Sequence, residues 1–230
     1  MEETLYVDLW SDIVCPFCYL GDRQLRRAVE DFEHADQVVV RRHAFELDPR
    51  SPINSGLTLD EVLARKYSMS LEQARTINLR MEESARALEL KWSLAAARPT
   101  NTFDGHRVIA LAQTQGLDGA MSDRLFAAYF SEGELVSDHA TLERLALEVG
   151  VAGAGELWGN EVFVEEVRGD EAAAEELGIS GVPSFVVDGK FMVVGAQGSD
   201  HLLSVLRRAW ARRAGQSSDS AGTTAAVATE

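Results

Sequence analysis

Only two cysteines occur in the 230 residues, and they stand together as Cys15-Pro16-Phe17-Cys18. Two chemistries use this spacing. A zinc site would need two further ligands, but there is no second cysteine pair, and His34, His43, His106, His139 and His201 show no H-x3-5-H spacing. Thiol–disulfide exchange needs one thiolate to attack a sulfur and a second thiol within reach to resolve the mixed disulfide. If Cys15 stands at the amino end of a helix, its thiolate meets unpaired backbone N–H groups and the positive end of the helix dipole. Pro16 then takes the first helical position, where a missing N–H costs nothing, and Cys18 lies one turn deeper. Phe17 adds neither charge nor a hydrogen-bond donor. The reading is a redox pair, with no metal and no bound cofactor expected.

Such a pair needs a strand to deliver it and a helix to carry it. Residues 4–10 (Thr-Leu-Tyr-Val-Asp-Leu-Trp) have strand character, and from Pro16 onward Leu20, Leu25, Ala28, Val29 and Phe32 recur at helical spacing. A second strand over 38–45 ends before Pro49 and Pro52. From Thr58 to about Gly155 the pattern is helical throughout, with segments at 58–67, 70–91, 104–115, 120–131 and 138–149, and a further helix covers 160–177. Two apolar runs, 183–187 and 191–194, flank Asp188-Gly189-Lys190, a strong hairpin signal. A last helix over 199–213 carries Leu202, Leu203, Val205, Leu206 and Trp210. Removing the helical block leaves βαβ followed by αββα. This predicts an α/β, thioredoxin-like fold with an inserted all-helical domain: residues 1–50 and 158–213 form the thioredoxin-like part, 51–157 the insertion, and 214–230 a disordered polar tail.

In that topology Val182-Pro183 falls where thioredoxin-like proteins place a cis proline beside the reactive sulfur. Cys15-Pro16-Phe17-Cys18-Tyr19-Leu20-Gly21, Phe45-Glu46-Leu47-Asp48-Pro49, Asn101-Thr102 with His106-Arg107, and Gly181-Val182-Pro183 with Gly195-Ala196-Gln197 together resemble the DsbA family, FrnE-like branch. The resemblance covers residues 4 to 213. It implies catalysis by Cys15 and Cys18, with substrate contact at Pro16, Phe17, Val182 and Pro183. It also implies contact at Asn101 and His106, where the inserted helices meet the active site, although His106 could instead cap or pack a helix. Some FrnE-like proteins carry a further cysteine pair near the carboxyl end; with no cysteine after Cys18, relay through a second pair is excluded here.

The formal net charge of −15 repels phosphate backbones, which argues against nucleic acid as a partner. The opening Met1-Glu2-Glu3 does not read as a secretory signal, and no run approaches the ~18 apolar residues of a membrane span, so a cytoplasmic protein is expected. The partners are then protein or low-molecular-weight thiols and disulfides, glutathione among the candidates. Two other functions fit the fold. One is a glutathione-dependent isomerase or transferase of the kappa-class or hydroxychromene carboxylate isomerase type, which usually presents serine where Cys15 stands. The other is a peptide-binding, chaperone-like module. Trp92, Trp158 and the apolar helical faces leave open a homodimer contact or an interdomain core.

Overall fold

The computed structural model describes residues 4–86 and 89–222, with side chains described to 213. A four-stranded sheet runs in the order β2-β1-β3-β4, built from β1 (Leu5–Ser11), β2 (Val38–Ala44), β3 (Ser184–Val187) and β4 (Phe191–Val194). β1 and β2 are parallel, with Leu5 opposite Val38, whereas β3 is antiparallel to both β1 and β4. Asp188 and Gly189 adopt φ of +57° and +63°, the two left-handed residues that a type I′ turn requires, and the Lys190 N–H closes it on the Val187 carbonyl at 3.1 Å. The hairpin forms where the Asp-Gly pair places it.

The strand alternation sorts the two faces of the sheet. Leu5, Val7 and Leu9 of β1, with Phe185, Val187 and Val193, pack against Leu25, Ala28 and Phe32 around helix α1 (Pro16–Glu30) and Leu202, Leu206 and Ala209 of α8 (Ser199–Gly222). On the opposite face, Trp10 and Val186 meet Ala174 and Ile179 at the end of α7 (Val164–Glu176). The same face is charged: Asp8 pairs with Arg41, and His43 sits between Asp8 at 2.8 Å and Asp170 at 2.6 Å with Trp10 stacked on its ring.

Between β2 and α7 lie α2 (Leu59–Lys66), α3 (Leu71–Arg86), α4 (Phe103–Gln113), α5 (Asp118–Ala127) and α6 (His139–Val149), with a π turn at Ala128–Glu132. α2 opens with a capping box in which the Thr58 hydroxyl accepts the Glu61 N–H and the Glu61 carboxylate accepts the Thr58 N–H. Tyr19 of α1 stacks on Phe126 at 4.8 Å and lies within a group formed with Trp92 and Phe130. Ile13, Cys15, Cys18 and Leu20 are part of that same apolar cluster, so the thioredoxin-like part and the helices share one core around the cysteines.

Three boundaries differ from the sequence reading. Helix α3 is described to Arg86 and the chain is no longer helical from Glu89, instead of running to 91: the Ser93 N–H donates to Phe130 O at 2.7 Å, the Leu94 N–H donates to Glu82 at 2.7 Å, and burial of Leu90, Trp92 and Leu94 overrides local helical preference. α7 starts at Val164, four residues later than expected, because Phe163 takes a left-handed conformation at φ +61°. α8 continues to Gly222, past the expected stop at Arg213. Once formed, a helix adds one hydrogen bond per residue, and no proline interrupts this one. The expected disordered tail covers 214–230; its first residues, to Gly222, lie in α8, and residues 223–230 lie outside the described residues.

Candidate active site

The buried β1 strand ends at Ser11, and four residues then turn the chain into α1. The Cys15 N–H closes this turn on the Asp12 carbonyl at 3.1 Å. Cys15 takes the N-cap position in extended conformation (φ −92°, ψ 113°), and Pro16 opens the helix. Phe17 projects outward at 51% exposure, while Cys15 is 4% exposed and Cys18 fully buried. Both cysteines are unbridged. The structure thus places both cysteines in the core, Cys15 at the helix N-cap and Cys18 one turn further in.

The second wall comes from the loop before β3. The Val182–Pro183 peptide bond is cis, and the Cys15 thiol donates to the Val182 carbonyl at 3.6 Å. The loop is fixed by Ser184 Oγ donating to Gly181 O at 2.8 Å and by the Gly195 N–H donating to Pro183 O at 2.7 Å. Helix α1 can approach this loop because residue 21 is glycine: a Cβ there would stand 2.8 Å from Pro183 Cγ and 3.1 Å from Phe185 Cζ. Residues 167 positions apart in sequence meet at the Cys15 sulfur.

Beneath the pair the polar groups are few and specific. The Asp12 N–H donates to Cys18 Sγ at 3.4 Å. Burial pushes the Cys18 thiol well above its ordinary pKa and the adjoining Cys15 sulfur adds to this, while the Asp12 N–H and the Ser11 side chain oppose it. Cys18 is therefore held as a thiol until a base removes its proton. Asp12 Oδ2 accepts the Leu47 N–H at 2.8 Å, which docks the segment after β2 onto the active-site turn.

Asn101 is bonded to the Glu46 segment, and His106 is buried facing Asp12. The Asn101 amide donates to Glu46 Oε1 at 3.1 Å, and its carbonyl oxygen accepts the Phe103 N–H at 2.9 Å, so the side chain joins the start of α4 to the Glu46 segment. His106 is 4% exposed and points its Nε2 at Asp12 Oδ1, 3.4 Å away. Arg107 is likewise structural, holding the carbonyls of Leu157, Asn160 and Val162. Trp10 stacks on His43 and Tyr19 on Phe126, so both belong to the core rather than to a substrate groove.

Sequence reasoning passed over Ser11, Asp12 and the buried Glu46 as site residues. Burial pushes the Glu46 carboxyl up, an effect that Arg168 opposes through a 2.7 Å ion pair. An aspartate between the apolar end of β1 and the cysteine turn was the signal available for Asp12.

A family model described as the DSBA-like thioredoxin domain matches residues 6–207. The chain belongs to this family. The crystal structure of a probable DsbA oxidoreductase from Streptomyces coelicolor is 33% identical, with a TM-score of 0.86 over 90% of each chain. The uncharacterized protein YwbO of Bacillus subtilis (strain 168) is 26% identical over 202 residues, 86% of this chain and 93% of that protein. The cytosolic disulfide reductase DsbM of Pseudomonas aeruginosa shares the fold at 19% identity and a TM-score of 0.60, over 88% of this chain and 97% of that one. The protein is a thiol–disulfide oxidoreductase of DsbA-like fold.

Proposed function

We propose that Cys15 is the attacking and Cys18 the resolving thiol of a dithiol–disulfide cycle acting on protein or small-molecule thiols and disulfides. The observation that carries this reading is the placement of the pair: Cys15 at the N-cap touches the Val182 carbonyl of the cis-proline loop, with fully buried Cys18 one turn behind it. Cys15 thiolate attacks a substrate sulfur and releases one substrate thiolate. Cys18 then attacks Cys15, expelling the second substrate thiolate and leaving the Cys15–Cys18 disulfide; the reverse sequence oxidises a substrate dithiol. Pro16 and Phe17 border the attacked bond, and the backbone at Val182-Pro183 is available to an extended substrate. Asn101 and His106 support the site from behind.

Within the family, the Cys-Pro-Phe-Cys-Tyr-Leu-Gly and Phe-Glu-Leu-Asp-Pro segments favour the FrnE-like branch. A cytoplasmic setting with glutathione as one thiol partner is in keeping with the fold shared with a cytosolic disulfide reductase, which has also been solved with GSH. The fold is shared as well with a 2-hydroxychromene-2-carboxylate isomerase (17% identity, TM-score 0.62), but keeping both thiols favours the redox cycle. The test is equilibration against glutathione redox buffers with thiol trapping. A reversible two-electron transition confined to Cys15 and Cys18 is expected. No intramolecular disulfide at any poise would put the glutathione-dependent isomerase in its place.

A further inference from the structure

A formal net charge of −15 sets two copies of this chain against each other. The segment 59–86, which forms α2 and α3, departs from that balance: it holds five acidic and five basic residues and is neutral. The hairpin is also thinly buried. α2 has no buried residue, and α3 buries only Ala74, Asn78 and Ala85. Asn78 and Arg75 reach across to Asp60 of α2 at 2.7 and 3.1 Å, which holds the two helices together and leaves the outer side of α3 uncovered.

That outer side carries a pattern. Glu72, Arg75, Leu79, Glu83 and Arg86 follow one another at spacings of three, four, four and three, so they fall on one stripe of the helix. All five are exposed, Leu79 at 64%. Glu72, Glu83 and Arg86 make no ion pair among the described residues, and Arg75, paired to Asp60, keeps 71% of its side chain exposed. The stripe reads acid, base, leucine, acid, base; reversed, every charge changes sign. Laid antiparallel on a second copy about a two-fold axis at Leu79, it sets Glu72 opposite the partner's Arg86 and Arg75 opposite the partner's Glu83, with leucine meeting leucine. A parallel pairing would set like charge on like at all four positions. The other strongly exposed leucine, Leu147, has no such setting: Arg144 and Glu148 beside it are paired with each other and with Glu134 and Arg124. Trp92 is engaged in the core with Tyr19 and Phe130, and Trp158 stacks on His139.

We propose that the protein forms a homodimer through α3, antiparallel to the partner's α3 about a two-fold axis at Leu79. The contact is isologous, each copy giving and receiving the same two ion pairs. One helix laid on another buries less than the ~1,200 Å² at which stable interfaces begin, so the dimer is weak and concentration-dependent. Charge pattern fixes its orientation, and the neutral hairpin is where two acidic chains can approach.

The experiment is sedimentation velocity of the full chain from about 1 µM to about 1 mM, a range that reads weak dissociation constants directly. Wild type should dimerise reversibly. Glu72→Arg and Arg86→Glu each place like charges opposite one another twice per dimer and should raise the dissociation constant about tenfold, while the two substitutions combined should return it to within about threefold of wild type. A wild type that stays monomeric, single variants that dimerise unchanged, or a double variant no better than the singles would overturn the proposal. A monomer whose α3 variants lose reduction of an unfolded protein but keep reduction of a cystine peptide would give this face to a polypeptide client, and would also overturn it. A second measurement is independent of the charge swaps. A disulfide needs Cα atoms within about 7 Å, so Leu79→Cys in a Cys15→Ser, Cys18→Ser background should cross-link with diamide, and Ile77→Cys, on another side of α3, should not. Equal cross-linking at both positions, or none at either, would count against the two-fold axis at Leu79.

Discussion

Gly21→Ala places one methyl group where α1 touches the cis-proline loop. Its Cβ would stand 2.8 and 3.3 Å from Pro183 Cγ and Cβ and 3.1 Å from Phe185 Cζ, whereas ordinary contact begins near 3.4 Å. The proline ring must retreat by at least about 0.6 Å, and a ring fused to the backbone carries the Val182 carbonyl with it. Overpacking of this kind costs about 1–3 kcal/mol, while alanine in a helix interior regains about 1 kcal/mol over glycine, so net destabilisation stays at or below about 2 kcal/mol. Activity should suffer more than stability, because displacing a reacting group by about 1 Å can cost about 10²-fold in rate. The internal control is Gly169→Ala on α7, where a Cβ would meet nothing within 4 Å; it should gain up to about 1 kcal/mol and leave the rate unchanged. The assay pairs urea unfolding with the rate of reduction of a short cystine peptide. Full activity in Gly21→Ala, or equal loss in both variants, would refute the argument that this contact sets the site.

Two further expectations concern the supports of the site. Burial would lower the His43 pKa, but Asp170 and Asp8 outweigh it and raise it from 6.5 to about 9. At about 1.4 kcal/mol per unit this contributes at most about 3 kcal/mol of stability, fully present below about pH 6.5 and lost as pH rises through about 9. The stability gap between wild type and His43→Gln in urea should therefore close between pH 6 and 9.5, and a constant gap would show that the pair of carboxylates does not hold a proton there. Asn101→Ala removes the links to Glu46 and to the Phe103 N–H and should cost about 1–2 kcal/mol with an unchanged KM for thiol substrates; a raised KM at unchanged stability would return Asn101 to the substrate-contact role.

The sequence reading reached the sheet, its hairpin and the cysteine turn because each rests on local signals: the Asp188-Gly189 turn, Pro16 after Cys15, and apolar residues at period two in β1. Where tertiary contacts decide, it fell short. The segment from Glu89 leaves the helical pattern because Leu90, Trp92 and Leu94 fill a core with Phe130, which no local pattern encodes. Asn101 and His106 were legible as residues where the helices meet the site, but not the direction in which they point. Asp12, three residues before Cys15, becomes informative only when His106, 94 residues later, is seen facing it.

The division of labour between the two thiols is tested most directly by trapping. Cys18→Ser and Cys15→Ser are each reduced, exposed to oxidised glutathione or a cystine peptide at neutral pH, quenched in acid and mapped by mass spectrometry. Cys18→Ser should accumulate a stable mixed disulfide at Cys15, and Cys15→Ser should form none at the buried Cys18 while the protein stays folded. Adducts appearing on Cys18 as readily as on Cys15, or on neither, would contradict the assignment of Cys15 as the attacking sulfur.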